Sequence, residues 1–209
     1  GMQGVPAARL PRMELDGVIP EEGRTVIAVS ALLPQAAKAE KTAQHLAGLY
    51  NTNGRGAVQV CLLADLKQAA YPEMPQDAAD IAAMRRQIRR LNRRYGEHFV
   101  LAVRRRTYSK TMNAYTGYER KRGAILQLSQ VITGTAEADG GFLAFEGDIT
   151  GLRRSRYLLA LDADTGLLLD TLPLLVGTAL HPCNAPVLDD EHRRVVKGYG
   201  VLTPRIGLE

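Results

Sequence analysis

The stretch Tyr157–Gly166 reads YLLALDADTG. Five mostly apolar residues run directly into two carboxylates one residue apart. An apolar run with no polar alternation suits a strand covered on both faces, which is the habit of a parallel sheet. Thr25–Ser30 (TVIAVS), Ala57–Ala64 (AVQVCLLA) and His98–Val103 (HFVLAV) read the same way. Between them lie helical patterns: Gln35–Tyr50, rich in Ala, and a clearer helix in which Ile81, Met84, Ile88, Leu91 and Tyr95 recur at spacings of three and four. A third helix carries Ile125, Leu128 and Ile132 on one side, a short strand is expected at Phe142–Phe145, and a further helix at Thr171–His181. Asn51–Gly56 reads as a turn cluster, Arg104–Gly117 as a polar loop and Arg193–Pro204 as extended. Strands alternating with helices predict an α/β fold, Rossmann-like, with a mostly parallel sheet flanked by helices in a single domain. Val5–Gly23 is rich in Pro and Gly, so residues 1–23 read as a lead-in arm and 24–209 as the domain.

Bulk properties set the limits. The chain has 209 residues, enough for one core, and a formal net charge of +5 that favours anionic partners. Two cysteines, Cys61 in an apolar run and Cys183 in a Pro-flanked loop, do not build a disulfide framework. The longest apolar stretch, Leu167–Leu180, is interrupted by Asp170, Thr171 and Pro173, and a membrane span needs about 20 mostly apolar residues. The Gly ahead of Met2 reads as an expression remnant. The end at Gly207–Glu209 leads us to expect a truncated piece of a longer protein, soluble by itself.

Asp162 and Asp164 follow the end of a buried strand, where open α/β sheets bind their ligands. Side chains two apart in an extended segment point the same way. Two ionised carboxylates about 5 Å apart repel by roughly 3 kcal/mol at an effective dielectric near 20. A shared proton, a basic neighbour or a divalent cation must offset this, and Mg²⁺ or Mn²⁺ would share its shell with phosphate oxygens. The plainer alternative is that Asp162 caps a turn. Asp65 ends the second strand and reads either as a cap or as a ligand contact. Tyr118–Gly123, YERKRG, opens a helix with cations, which is unfavourable for the helix dipole unless an anion sits there; otherwise it is a solvated charged turn.

Other constellations carry less. Arg85, Arg86, Arg89, Arg90, Arg93 and Arg94 lie off the apolar face of their helix and read as solvated surface, not as a nucleic-acid stripe. Arg104, Arg105 and Arg106 read as a surface cluster with the alternative of reaching a phosphate. His181, Cys183 and His192 do not assemble into a zinc set. The glycines fit neither dinucleotide nor P-loop spacing, and no nucleophile triad stands out.

A strand ending in Asp65, a basic Lys121-x-Gly123 helix start and a buried strand ending in Asp162-Ala163-Asp164 occur in the order seen in GT-A glycosyltransferases. More narrowly, IPEEGRTVIAV (Ile19–Val29), YERKRG, LDADT (Leu161–Thr165), HPCNAP (His181–Pro186) and GYGVLTPR (Gly198–Arg205) resemble the glycosyltransferase domain of cyclic β-1,2-glucan synthases. The resemblance implies a GT-A-like domain transferring glucose from UDP-glucose to a growing β-1,2-glucan with inversion. It implies a large protein at the cytoplasmic face of the bacterial inner membrane, attached only through segments outside this chain. Asp65 would contact the uridine side of the donor, Lys121 would lie near the diphosphate, and Gly123 would belong to the same nucleotide-sugar site. Asp162 would serve donor and metal, and Asp164 the metal. The base would be Asp189, Asp190 or Glu191, or lie beyond Glu209, so the isolated piece is expected to bind donor only. The rival readings are a nucleotidyltransferase acting on a sugar nucleotide and a non-catalytic module for polyanions or glucan.

Overall fold

The structure of the chain, a computed structural model, describes residues 18–53, 55–118, 120–134, 141–163 and 201–202. Its centre is a six-stranded sheet. In chain order the strands are β2 (Thr25–Leu32), β4 (Val58–Asp65), β5 (Phe99–Arg104), β8 (Ala144–Glu146), β9 (Tyr157–Asp162) and β10 (Val201–Leu202). They lie side by side in the order β10-β9-β2-β4-β5-β8, and all pairs are parallel except β5 with β8. Two small pairs flank the sheet. β1 (Val18–Ile19) runs beside β3 (Arg55–Gly56), and β6 (Thr107–Ser109) folds back on β7 (Ala114–Thr116). The helices are α1 (Ala39–Asn53), α2 (Asp77–Tyr95), α3 (Arg120–Thr133) and the short α4 (Ile149–Arg153).

The apolar strands are unpatterned because both faces are covered. Successive strand residues point to opposite faces. Ile27 and Val29 of β2 therefore join Leu46 and Leu49 of α1 and Met84 and Ile88 of α2 in one core. Val26 and Ala28 join Leu128 of α3 and Leu152 of α4 in the other. The result is an α/β/α sandwich, and each fully buried Ile or Leu contributes about 2 kcal/mol.

The expected mostly parallel α/β sheet is thus present. Three local readings change. α1 runs on to Asn53 and β3 follows, so most of Asn51–Gly56 is structured and not a free turn cluster. The segment read as a polar loop, Arg104–Gly117, contains the β6–β7 hairpin. α4 was not anticipated; Asp148 caps it by accepting from the Gly151 N–H at 3.0 Å. The expected helix Thr171–His181 lies outside the described residues, as does most of Arg193–Pro204. Among the described residues no helix is long and apolar enough to cross a membrane.

The junction between α2 and β5 turns on one amide. Gly96, at φ 96°, ends the helix, a left-handed backbone that favours glycine. Asn92, buried in the last turn of α2, accepts from the Phe99 N–H at 2.9 Å and donates to the Phe99 carbonyl at 3.0 Å. It also accepts from the His98 N–H at 3.1 Å. Replacing Asn92 by Ala strands buried backbone groups, and urea denaturation is expected to show a loss of about 2–3 kcal/mol.

Candidate functional site

The order of the strands places the site. From β2 the chain steps to β4 and β5, then returns across to β9 on the other side of β2. The reversal leaves a crevice at the C-terminal ends of β2 and β9, where such sheets bind ligands. Leu32 is in register with Asp65, and Ser30 with Asp162. Beside this crevice, at the C-terminal ends of β2 and β4, opens a cavity of about 320 Å³, lined by Ser30, Leu32, Asp65, Lys67, Arg120 and Lys121 among others.

Asp65 is held in place by a buried arginine. Arg104, 3% exposed, donates from Nε to Asp65 Oδ1 at 2.7 Å and from Nη2 to Oδ2 at 3.1 Å. The same guanidinium donates to the Tyr118 carbonyl at 2.9 Å and to the Arg120 carbonyl at 2.8 Å. It therefore ties the end of β4 to the start of α3 across the mouth of the cavity. Arg106 does similar work one layer out. It donates to Asp77 at 2.7 and 3.0 Å, to the Lys67 carbonyl at 2.6 Å and to the Pro72 carbonyl at 3.2 Å. The loop after β4, which carries Lys67, is fixed by these bonds. Arg104 and Arg106 are thus buried structural ions, not the surface cluster their sequence suggested; only Arg105 is exposed.

The approach of α3 to β4 needs two glycines. A Cβ on Gly117 would lie 2.5 Å from Asp65 Oδ1. A Cβ on Gly123 would collide with the Tyr118 carbonyl and lie 3.1 Å from Arg104 Nη1. Arg120 enters the helix at φ 47°, a left-handed conformation that non-glycine residues seldom adopt. The first turn of α3 holds Arg120, Lys121 and Arg122 and no acid. Of these cations Arg120 and Lys121 line the cavity, at the helix end that the dipole makes favourable for an anion.

The structure thus brings Asp65 and Lys121 to one cavity and sets the backbone of Asp162 on the strand next to it. Gly123 is buried just behind, against Arg104. Glu119, Asp164, Asp189, Asp190 and Glu191 lie outside the described residues, so the geometry of the paired acids and of any base is not part of the described fold. Among the described residues no three His, Cys, Asp or Glu side chains cluster as a metal site would need. The arginines of α2 are exposed except Arg85, which donates to the Phe145 carbonyl at 3.1 Å beside Glu146. Arg104 was the residue the sequence reading missed. The signal was parity: Arg104 and Arg106, two apart, share one side of an extended segment, and Asp65 and Asp77 supply one acid each.

No protein-family profile matches the chain. It is 34% identical over 196 residues to cyclic beta-(1,2)-glucan synthase NdvB of Rhizobium meliloti (strain 1021), a match covering 92% of this chain. The chain spans about 7% of the length of that relative.

Two measurements probe the frame of the cavity. Arg104→Ala leaves Asp65 and two carbonyls without donors, and a loss of about 3 kcal/mol or more is expected in chemical denaturation. Arg104→Lys, which keeps the charge but not the fork, should recover only part of it. The Arg106 hydrogen bonds hold the Asp77 carboxyl below its usual value of 3.8. A lowered folded-state pKa stabilises fully above the unfolded value and is lost as pH falls through the folded one. The urea midpoint of the unmodified chain should therefore fall on acidification below pH 3.8 more steeply than that of Asp77→Asn.

Proposed function

The chain is related to one segment of cyclic β-(1,2)-glucan synthase, and on that premise we propose that it is the sugar-nucleotide-binding part of a glycosyltransferase, taking UDP-glucose as donor and a β-1,2-glucan as acceptor. The observation that carries this is that Asp65 and Lys121 line one cavity at the C-terminal edge of the sheet, together with Ser30, the residue in register with Asp162. Membrane attachment through segments outside the chain belongs to the same proposal.

The residues suit a nucleoside diphosphate sugar. Lys121 and the N-terminal turn of α3 offer cationic and N–H groups to a diphosphate. Asp65, oriented by Arg104, keeps lone pairs for a donor group of the nucleoside. Asp162 and Asp164 supply hard oxygen ligands suited to Mg²⁺ or Mn²⁺. The bound cation would add positive charge where the leaving diphosphate gathers negative charge. In an inverting transfer the bond from the anomeric carbon to the diphosphate breaks as the bond to the acceptor oxygen forms on the opposite side. The acceptor proton goes to a base, for which Asp189, Asp190, Glu191 or a residue after Glu209 are the candidates.

The exposed arginines of α2 favour a second reading, a basic module for polyanions. Calorimetric titration separates the two. On the transferase reading UDP binds this chain with Mn²⁺ present, weakly or not at all without it, and at least tenfold more weakly to Asp164→Ala. Metal-independent binding with a steep salt dependence, unchanged in Asp164→Ala, would favour the polyanion module. Sustained glucan synthesis by the chain alone would contradict the expectation that the isolated chain does not polymerise glucose.

A further inference from the structure

A second, larger cavity of about 800 Å³ adjoins the first. Its floor is the β6–β7 hairpin, and it shares Thr116, Arg120 and Lys121 with the smaller cavity. Three large side chains that line it are exposed: Tyr108 at 52%, Met112 at 42% and Tyr118 at 64%. We propose that this cavity binds the acceptor oligosaccharide, with Tyr108 and Tyr118 as stacking platforms for glucose rings. The proposal rests on the sugar-transfer reading of the neighbouring cavity and names the acceptor subsite of that site.

Tyr108 is set up to act as a platform. Its hydroxyl donates to Asn113 Oδ1 at 2.7 Å, across the hairpin loop. Tyr115 meets its ring edge-on with centroids 5.4 Å apart. Tyr115 is itself anchored to the body of the protein. Its carbonyl accepts from the Ala69 N–H at 3.0 Å, and its N–H donates to the Ala69 carbonyl at 2.8 Å. The hydroxyl bond and the edge contact restrict this half-exposed ring before anything binds, which removes part of the ordering cost.

The chemistry that matches is a neutral hexose. Its axial C–H bonds make an apolar face with partial positive charge, complementary to the negative face of an aromatic ring. Its rim of hydroxyls suits Ser109, Lys110 and Thr111, which also line the cavity. A volume of this size lies in the range of small-ligand sites and suits the end of an oligosaccharide better than a long strand track. The shared wall puts such an end next to the donor.

The test is calorimetric titration of the 209-residue chain with linear β-1,2-linked glucooligosaccharides, and separately with UDP and Mn²⁺. Tyr108→Ala is expected to weaken oligosaccharide binding about tenfold while Tyr108→Phe, which keeps the ring, binds nearly as well as the unmodified chain. Tyr118→Ala, a change of a solvent-exposed side chain, provides the check should Tyr108→Ala disturb the hairpin, and should weaken binding similarly. UDP affinity should not move in either Tyr108 variant. A chain that binds UDP but no oligosaccharide, or binds oligosaccharide equally with and without both rings, overturns the proposal. So does displacement of the oligosaccharide by a single-stranded oligonucleotide with steep salt dependence. Ring-dependent oligosaccharide binding by a chain that ignores UDP would support the platform and overturn the donor reading instead.

Discussion

The contact on which the site depends is the Arg104 guanidinium. It is almost wholly buried, and a buried cation costs several kcal/mol unless its hydrogen bonds are met. Here Asp65 takes two of its donors and the Tyr118 and Arg120 carbonyls take two more. These partners come from the end of β4 and from the turn into α3, segments far apart in the chain. Satisfying one ion therefore fixes how the helix start meets the sheet edge. A lysine, with a single compact ammonium, cannot span the same four acceptors.

Arg106 extends the principle outward. The loop after β4 has no regular pairing of its own apart from the Ala69–Tyr115 bridge. Arg106 collects the Lys67 and Pro72 carbonyls and braces itself on Asp77 at the start of α2. Both arginines leave β5 or its continuation, so the third parallel strand acts as a spine from which charged struts hold the loops. The cavity can then keep Asp65 and Lys67 in its wall without depending on loop packing. An apolar packing solution would have filled the space that a ligand needs.

How much of this the sequence disclosed varies by element. Unbroken apolar runs such as TVIAV and YLLAL declared themselves as strands buried on both faces, because no other common element is apolar, short and unpatterned at once. α2 was equally clear from its period. The hairpin was not: strands of three residues with Thr, Tyr and Ser carry too little alternation to stand out from a polar loop. Asp65 and Lys121 were legible as site candidates from their places after a strand and at a helix start. The role of Arg104 was hidden because three consecutive arginines read as a charge run. Only the alternation of the strand, which buries the first and third and exposes the second, separates them.

The turn from Gly117 to Arg120 concentrates these constraints. Arg120 holds a backbone conformation that costs a non-glycine residue on the order of 1 kcal/mol. Two bonds hold it there: its N–H donates to the Gly117 carbonyl at 3.1 Å, and its carbonyl accepts from Arg104. Gly117 and Gly123 remove the Cβ atoms that would otherwise push this turn away from Asp65 and Arg104. The strained residue and Lys121 after it face both cavities. If the smaller cavity takes the donor and the larger the acceptor, their separation is set by a single turn whose position is fixed from behind by a buried ion pair. Joining two substrates needs that separation held to a fraction of an ångström. A turn clamped at its carbonyls meets the requirement in a way that a freely packed loop does not.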